Sequence, residues 1–378
     1  MKRIAFYAPL KPPNHPVPSG DRRMARLLLA ALAQAGFAPD VACRFRSHPH
    51  GEPQRQPRIA AVGARFAERL AARLADPARR PSAWFTYHLY YKAPDHLGPA
   101  VAAALGIPYF LAEASFAPKR AGGPWDVGHR AVAHAVSAAQ AVFCINPNDR
   151  ACLLPLVADP ARLVDLPPFL DDAPYRAAHD AHPALRAALA RRLGLPLETQ
   201  WLLAVGMMRA GDKLASYAAL ADALRHIADR PWRLLVVGDG PARPEIQRLF
   251  AAAGLENRLC LLGELAQEDL PQIYAACDLM TWPAVREAYG MALLEAQAAG
   301  LPVVAGRTDG VPATVADGET GLLVPPGEAG AFAAAVALLL DDTERRRAMS
   351  ARAVARIAAR HTIPAAAETL RRIMEPCL

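Results

Sequence analysis

Short apolar runs recur along this chain, each followed by a longer stretch with apolar residues at helical spacing. Runs at 4–8, 84–88, 109–112 and 141–145 predict buried strands. Between them, Met24, Leu27, Leu28, Ala31 and Leu32 fall on one face of a helix expected over 21–35, which Gly36 ends. A second helix is expected over 97–105. The alternation breaks at Leu166-Pro167-Pro168-Phe169-Leu170-Asp171-Asp172, and a polar, histidine-containing stretch continues to about His182. An interdomain linker is expected over 170–198. A second alternating series follows, with strands at 201–205, 234–237, 259–262, 279–282, 302–305 and 321–324. Strands alternating with helices imply parallel sheets covered on both faces. The fold class is therefore α/β, with two Rossmann-like doubly wound domains, expected over 1–180 and 181–359.

Composition narrows this picture. A chain of 378 residues, 53% of them hydrophobic, is long enough for two cores. The six cysteines are scattered with no Cys-x-x-Cys pair, which fits reduced thiols. No apolar run reaches the roughly 20 residues that span a bilayer, and the first residues read as a strand, not a signal peptide. The expected location is cytoplasmic, with peripheral contact at the inner membrane face left open. The net charge of +7 is uneven: residues 1–180 carry 22 Lys and Arg against 14 Asp and Glu, and residues 181–378 carry 21 against 22. Arg22, Arg23 and Arg26, with Arg58, Arg65, Arg69 and Arg73 beside apolar Phe66, Leu70 and Leu74, compose a surface that suits an anionic bilayer or solvent alone. No basic-aromatic interleaving points to nucleic acid.

The chemistry concentrates in Glu287-Ala-Tyr-Gly-Met-Ala-Leu-Leu-Glu295, followed by small residues to Gly300 and the strand-like Leu301-Pro302-Val303-Val304. Glu287 is expected in a loop and Glu295 on a helix that starts near Gly290. A helix N-terminus offers free N–H groups to a sugar hydroxyl or phosphate, and each carboxylate can grip a pair of hydroxyls. Ser19-Gly20-Asp21 follows the first strand, where Gly20 lets backbone approach a ligand. Val205-Gly206-Met207-Met208-Arg209-Ala210-Gly211-Asp212-Lys213 follows the first strand of the second series. Val236-Val237-Gly238-Asp239-Gly240-Pro241 lacks the third glycine of a dinucleotide fingerprint and is read as structural. No Asp-x-Asp pair, zinc cluster, Walker loop or nucleophile elbow is seen.

This arrangement resembles the E-x7-E signature of GT-B-fold retaining glycosyltransferases, glycosyltransferase family four (glycosyl transferases group 1). The likeness covers most of the chain and is strongest over 201–326. It implies two domains facing a central cleft, with the final helical run, 344–374, crossing back so that about 360–378 packs on the first domain. It implies that Glu295 holds the nucleotide ribose, and that Glu287 with the backbone of Tyr289, Gly290 and Met291 holds the donor sugar. Lys213 and Arg209 would neutralise the leaving diphosphate, although Arg209 stands three residues after Gly206 where the family has an adjacent arginine. Gly20 would approach the diphosphate or the acceptor, Gly206 the diphosphate, and Gly263 in Leu262-Gly263-Glu264 the base. His88 and Glu113 fall at strand ends near the sugar or acceptor, Glu113 replacing a common histidine. Glu113 is equally a partner for Lys119 or Arg120, and His88 a core histidine.

The function implied is transfer of a sugar from a nucleotide-diphospho sugar to a hydroxyl of a sugar, lipid-linked or small-molecule acceptor, without a cofactor or metal. A catalytically silent nucleotide-sugar-binding protein and a nucleotide-sugar epimerase are the alternatives. A phosphorylase would need a pyridoxal lysine site that the sequence does not offer.

Overall fold

The computed structural model describes residues 1–16 and 19–378; Val17 and Pro18, in the Pro-rich loop after the first strand, lie outside the described residues. Met1–Phe169 and Ile363–Leu378 form one compact unit and Leu170–Thr362 a second.

In the first unit, β1 (Arg3–Tyr7), β2 (Ala38–Val41), β3 (Ala83–Leu89), β4 (Tyr109–Ala114), β5 (Ala141–Cys144) and β6 (Leu163–Asp165) alternate with α1 (Gly20–Gln34), α2 (Gln56–Leu74), α3 (Gly98–Leu105), α4 (Asp126–Ala138) and the short α5 (Arg150–Leu153). The strands pair in parallel in the order β2-β1-β3-β4-β5-β6. Phe6, Phe85 and Phe143 stack across one face of the sheet, with centroids 5.8 and 6.0 Å apart. On the other face the buried Asp95 accepts bonds from Thr86, Tyr109 and the Leu97 and Gly98 amides, which closes the start of α3. Four donors on one carboxylate offset the cost of burying its charge.

The sequence pattern did not reveal β2 and β6. Both are short edge strands: β2 contains Pro39 and has no fully buried residue, and β6 is only three residues long. Of the apolar residues beside the α2 arginines, Leu70 is buried and Leu74 packs on the core, while Phe66 stacks on Phe45 at 5.7 Å yet stays 37% exposed, next to Val62 at 40%. Arg22 and Arg26 donate to backbone carbonyls at His15, Pro16 and Pro13. Among the described residues no helix is long and apolar enough to cross a membrane.

The second unit opens with α6 (Ala173–Asp180) and α7 (His182–Leu193). Then come β7 (Gln200–Val205), α8 (Asp212–Arg225), β8 (Trp232–Val237), α9 (Arg243–Ala252), β9 (Leu259–Gly263), α10 (Leu270–Ala276), β10 (Leu279–Trp282), α11 (Met291–Ala298), β11 (Val303–Gly306), α12 (Val311–Thr314), β12 (Gly321–Val324), α13 (Ala329–Asp341) and α14 (Thr343–Arg360). The parallel order is β12-β11-β10-β7-β8-β9. Trp201, Trp232 and Trp282 are almost wholly buried in this core, each worth about 1.5–3 kcal/mol or more by its area.

The stretch expected as a linker is instead helical. Tyr175 packs on Tyr274 of α10, and Arg186 of α7 bonds Ala276 O and Asp278. The final helical run also divides. α14 packs on α11 and α13, and α15 (Ile363–Met374) packs on α1 of the first unit through Ala366, Ala367, Leu370 and Met374. At the changeover, Leu170 N donates to His361 O.

Candidate active site

Each sheet has one place where neighbouring strands send their connections to opposite faces. In a doubly wound sheet the crevice for ligands opens there, at the carboxyl ends of the strands. In the second unit it lies between β7 and β10, and in the first between β1 and β3.

At the β7/β10 position, Lys213 of the first turn of α8 places Nζ 2.5 Å from Glu287 Oε2. Glu287 Oε2 also accepts from Trp282 Nε1 at 3.3 Å. The ammonium lies 5.3 Å from the centre of the Trp282 ring, a cation–π distance. Both charged side chains are about one-fifth exposed, so the pair is partly screened and open on one side. Trp282 stands edge-on to Tyr217 at 5.0 Å, and Tyr217 donates to Gly206 O at 2.7 Å. Sequence reasoning did not single out Trp282 or Tyr217. Their signal was faint: an aromatic ending an apolar run and another one turn into a helix.

The loop that carries Glu287 is held from both sides. Ser216 Oγ accepts from Val285 N at 3.0 Å, and Thr308 Oγ1 donates to Ala284 O. Ala284 and Arg286 have φ of 55° and 54°, a costly region for residues with a side chain. Such strain persists only where the surroundings impose it. Gly290, with φ 67°, caps α11 and its carbonyl receives the Leu293 and Leu294 amides. Tyr289 and Met291 flank it, both half-buried.

Glu295 lies farther along α11 and is only 3% exposed; the Tyr274 hydroxyl donates to its Oε2 at 2.7 Å. The structure thus turns this carboxylate toward α10. Tyr274 was another residue the sequence did not mark.

Gly206, Gly238 and Gly263 meet at the ends of β7, β8 and β9. Gly206 N bonds Val237 O at 3.0 Å, and Gly238 N bonds Gly263 O at 2.8 Å. A Cβ on Gly238 would lie 2.0 Å from Gly206 O, and its φ is 135°, so only glycine fits. The Val-Gly-Asp-Gly-Pro turn is therefore the support on which the Gly206 loop rests. Arg209, on that loop, is exposed and forms no ion pair among the described residues. It is not brought against Glu287 as Lys213 is.

In the first unit, Ser19 caps α1 by accepting from Arg22 N at 3.2 Å. Gly20 opens the helix, and Asp21 in its first turn places Oδ1 3.1 Å from His88 Nδ1. Glu113 Oε1 lies 3.8 Å from the same nitrogen. Glu113 therefore faces His88. Arg120, one alternative partner, lies over the Tyr91 ring. Strand register pairs Tyr87 with Ala112 and Leu89 with Ala114, leaving His88 and Glu113 between them, both at positive φ (57° and 58°). Asp149, bonded by Ser115, completes the group. Asp21 and Asp149 escaped sequence reasoning because they come from elements remote from His88 along the chain. Burial alone lowers the His88 pKa, but the Glu113 charge and the Asp21 contact outweigh it and hold it at about 9. Burial raises Asp21, yet contact with His88 leaves it below the usual carboxylate value. Burial and the Glu113 charge raise Asp149 against its bond from Ser115. Among the described residues no group of three His, Cys, Asp or Glu is arranged to hold a metal ion.

Residues 202–356 match the family model described as glycosyl transferases group 1. A D-inositol 3-phosphate glycosyltransferase of Corynebacterium efficiens is 36% identical over 203 residues, covering 52% of this chain and 47% of that protein. An alpha-D-kanosaminyltransferase of Streptomyces kanamyceticus is 32% identical over 237 residues, covering 63% and 60%. The chain spans about half to three-fifths of the length of these curated relatives. Among solved structures, HepE of Anabaena in complex with UDP and glucose aligns with a TM-score of 0.71 at 19% identity, covering 99% of this chain and 100% of that one. Sucrose-phosphate synthase of Thermosynechococcus elongatus aligns at 0.73 and 22%, covering 100% and 99%. At these identities the likeness establishes the fold, which is GT-B.

The His88 group makes stability depend on pH in a defined window. His88 has a raised folded pKa, so its contribution is full below the ordinary histidine value of about 6.5. It is lost as pH rises through about 9. Asp21, lowered in the folded state, contributes above the ordinary carboxylate value of about 3.9 and loses that contribution in more acid solution. Urea unfolding across this range should give a fall in stability on the alkaline side that His88→Gln removes; an unchanged alkaline limb in the variant would contradict the assignment.

Proposed function

We propose that this chain, a member of the glycosyl transferases group 1 family over residues 202–356, is a retaining glycosyltransferase. It moves a sugar from a nucleotide-diphospho sugar to a hydroxyl acceptor. The observation that carries the reading is the Lys213–Glu287 pair at the carboxyl ends of β7 and β10, beside Gly206 and under Trp282. A fixed cation next to a glycine-lined turn suits a leaving diphosphate, whose negative charge grows as the glycosidic bond breaks. A carboxylate at the same point, beside the N-terminus of α11, suits sugar hydroxyls. Donor oxygens entering here would share Lys213 with Glu287. Each ion would then keep a partner when the site fills.

In this reading Lys213, with Arg209 from the loop rim, stabilises the departing diphosphate. Glu287 and the Tyr289–Met291 backbone orient the sugar, and Glu295 receives the ribose. The acceptor hydroxyl attacks the face the nucleotide leaves, and the leaving phosphate takes its proton. His88 and Glu113 contact acceptor or sugar. Protein cations supply the charge that a metal supplies elsewhere. The names of relatives support a nucleotide-sugar donor: HepE is described with UDP and with UDP-glucose, and the two curated relatives are named as a D-inositol 3-phosphate glycosyltransferase and an alpha-D-kanosaminyltransferase.

The direct test incubates the purified chain with a panel of nucleotide sugars and hydroxyl acceptors, with and without EDTA, and assigns the product anomer by NMR. Transfer with retained configuration and undiminished by chelation is expected. Inversion would remove the mechanism, and loss with EDTA restored by magnesium would remove the metal-free account.

Lys213→Ala should lower kcat by about 10²–10³, and Arg209→Ala by less, because only Lys213 is held at the strand ends. The reverse order would place the leaving group at the loop rim.

Glu295→Ala should weaken nucleotide binding by roughly 1.5–3 kcal/mol, the cost of losing charge-assisted bonds. Tyr274→Phe serves as the control, since it removes the Tyr274 contact but leaves the carboxylate. Equal losses in the two variants, measured by calorimetry, would make Glu295 a packing residue.

A further inference from the structure

At the edge of the second sheet opposite Gly206 and Glu287 lies a cavity of about 350 Å³. Its floor is Cys277 and Asp278 before β10 and Leu301 and Pro302 before β11, and its walls are the ends of α6 and α7 and the first turns of α14. The polar side chains that converge on it are His179, His182, Arg346, Arg347 and Ser350. This is where the polar, histidine-containing stretch of the sequence comes to rest, and the donor site uses none of it.

The charges there do not balance. Asp278 is the carboxylate of the lining, and it is already engaged: its Oδ2 accepts from Arg186 Nη1 at 2.9 Å and from Trp201 N at 2.8 Å. Arg346 donates from Nη1 to Leu339 O and Leu340 O and from Nη2 to Thr343 Oγ1, which fixes its guanidinium at the wall and leaves Nε and one Nη2 hydrogen for a ligand. Arg347 beside it is exposed and makes no ion pair among the described residues. Burial holds the Arg346 guanidinium below its usual pKa, with Arg347 and Arg186 adding to this against the opposing charge of Asp278. The geometry of the remaining groups is convergent. A Cβ at Gly300 would lie 2.3 Å from His179 Nδ1 and 3.0 Å from Ser350 Oγ, so an imidazole and a hydroxyl close over one bare backbone point. His182 directs Nδ1 to Ala275 O, which fixes that nitrogen as a donor and the tautomer of its ring.

We propose that this cavity is a second binding site, for the phosphate group of a small phosphorylated metabolite. Two guanidinium groups, two imidazoles and a hydroxyl are the chemistry that recognises a phosphate, and the volume falls in the range of small-molecule sites and exceeds what a bare phosphate fills. The site lies at the C-terminal end of α11, the helix whose N-terminus carries Gly290. It does not depend on the donor reading.

The test is an NMR titration of the whole chain, following the histidine ring resonances, with His179 and His182 assigned through His179→Gln and His182→Gln. The probes are inorganic phosphate and glucose 6-phosphate. Both should shift the His179 resonance saturably, with the hexose phosphate binding more tightly. Arg347→Glu, at an exposed position, should weaken both by about tenfold or more. Lys213→Ala should leave the titration unchanged, which separates this site from the donor end. A His179 resonance that stays still under both probes, or one that shifts equally in wild type and Arg347→Glu, overturns the site. Glucose 6-phosphate binding no tighter than inorganic phosphate overturns the metabolite-sized ligand.

Discussion

A parallel sheet can change the direction of its crossovers only by leaving a gap between two neighbouring strands, because the helices on either side of that point cover opposite faces. The Lys213–Glu287 pair and the His88 group are arranged around that constraint, one in each unit. In the second unit the gap lies between β7 and β10: Trp282 ends β10, Gly206 and Glu287 lie on the loops that leave those strands, and Lys213 is in the first turn of α8. In the first it lies between β1 and β3, and there Asp21 meets His88. Because strand order is fixed by burial of the sheet's two faces, these residues are placed by the core. The polar contacts only refine their positions.

The two gaps are built with different electrostatics. At β7/β10 one cation faces one anion under an indole, a balanced pair that a ligand can divide. At β1/β3 a single imidazole is surrounded by Asp21, Glu113 and Asp149, an excess of negative charge that holds it protonated well above the usual range. The positive φ of both His88 and Glu113 shows that the backbone bends out of the strand to bring them together. Strain of this kind costs of order 1–3 kcal/mol per residue, and the hydrogen-bonded sheet on both sides supplies it.

Much of the fold was legible in the sequence because apolar runs report burial directly. The strands at 279–282 and 321–324 coincide with β10 and β12. Edge strands are half-solvated, so β2 and β6 carried little apolar signal and went unseen. The polar stretch after Phe169 was misread as a linker for a related reason: α6 and α7 bury few residues, and their attachment runs through Tyr175 and Arg186, side chains that look surface-like in a sequence. Of the site, Lys213 and Glu287 stood out through the resemblance of their stretches to a family signature. Trp282, Ser216, Thr308, Tyr274, Asp21 and Asp149 did not, because what makes each of them relevant is a contact with a residue remote along the chain, and spacing says nothing about such contacts.

The return of α15 to the first unit has a consequence for how the chain is made. The second unit, Leu170–Thr362, is continuous in sequence and is complete as soon as it leaves the ribosome. The first is interrupted by it. Its α1 waits through the synthesis of more than three hundred further residues until Ala366, Ala367, Leu370 and Met374 of α15 arrive to pack on it. The order of maturation is therefore the reverse of the order of translation: the unit begun first is the last to close.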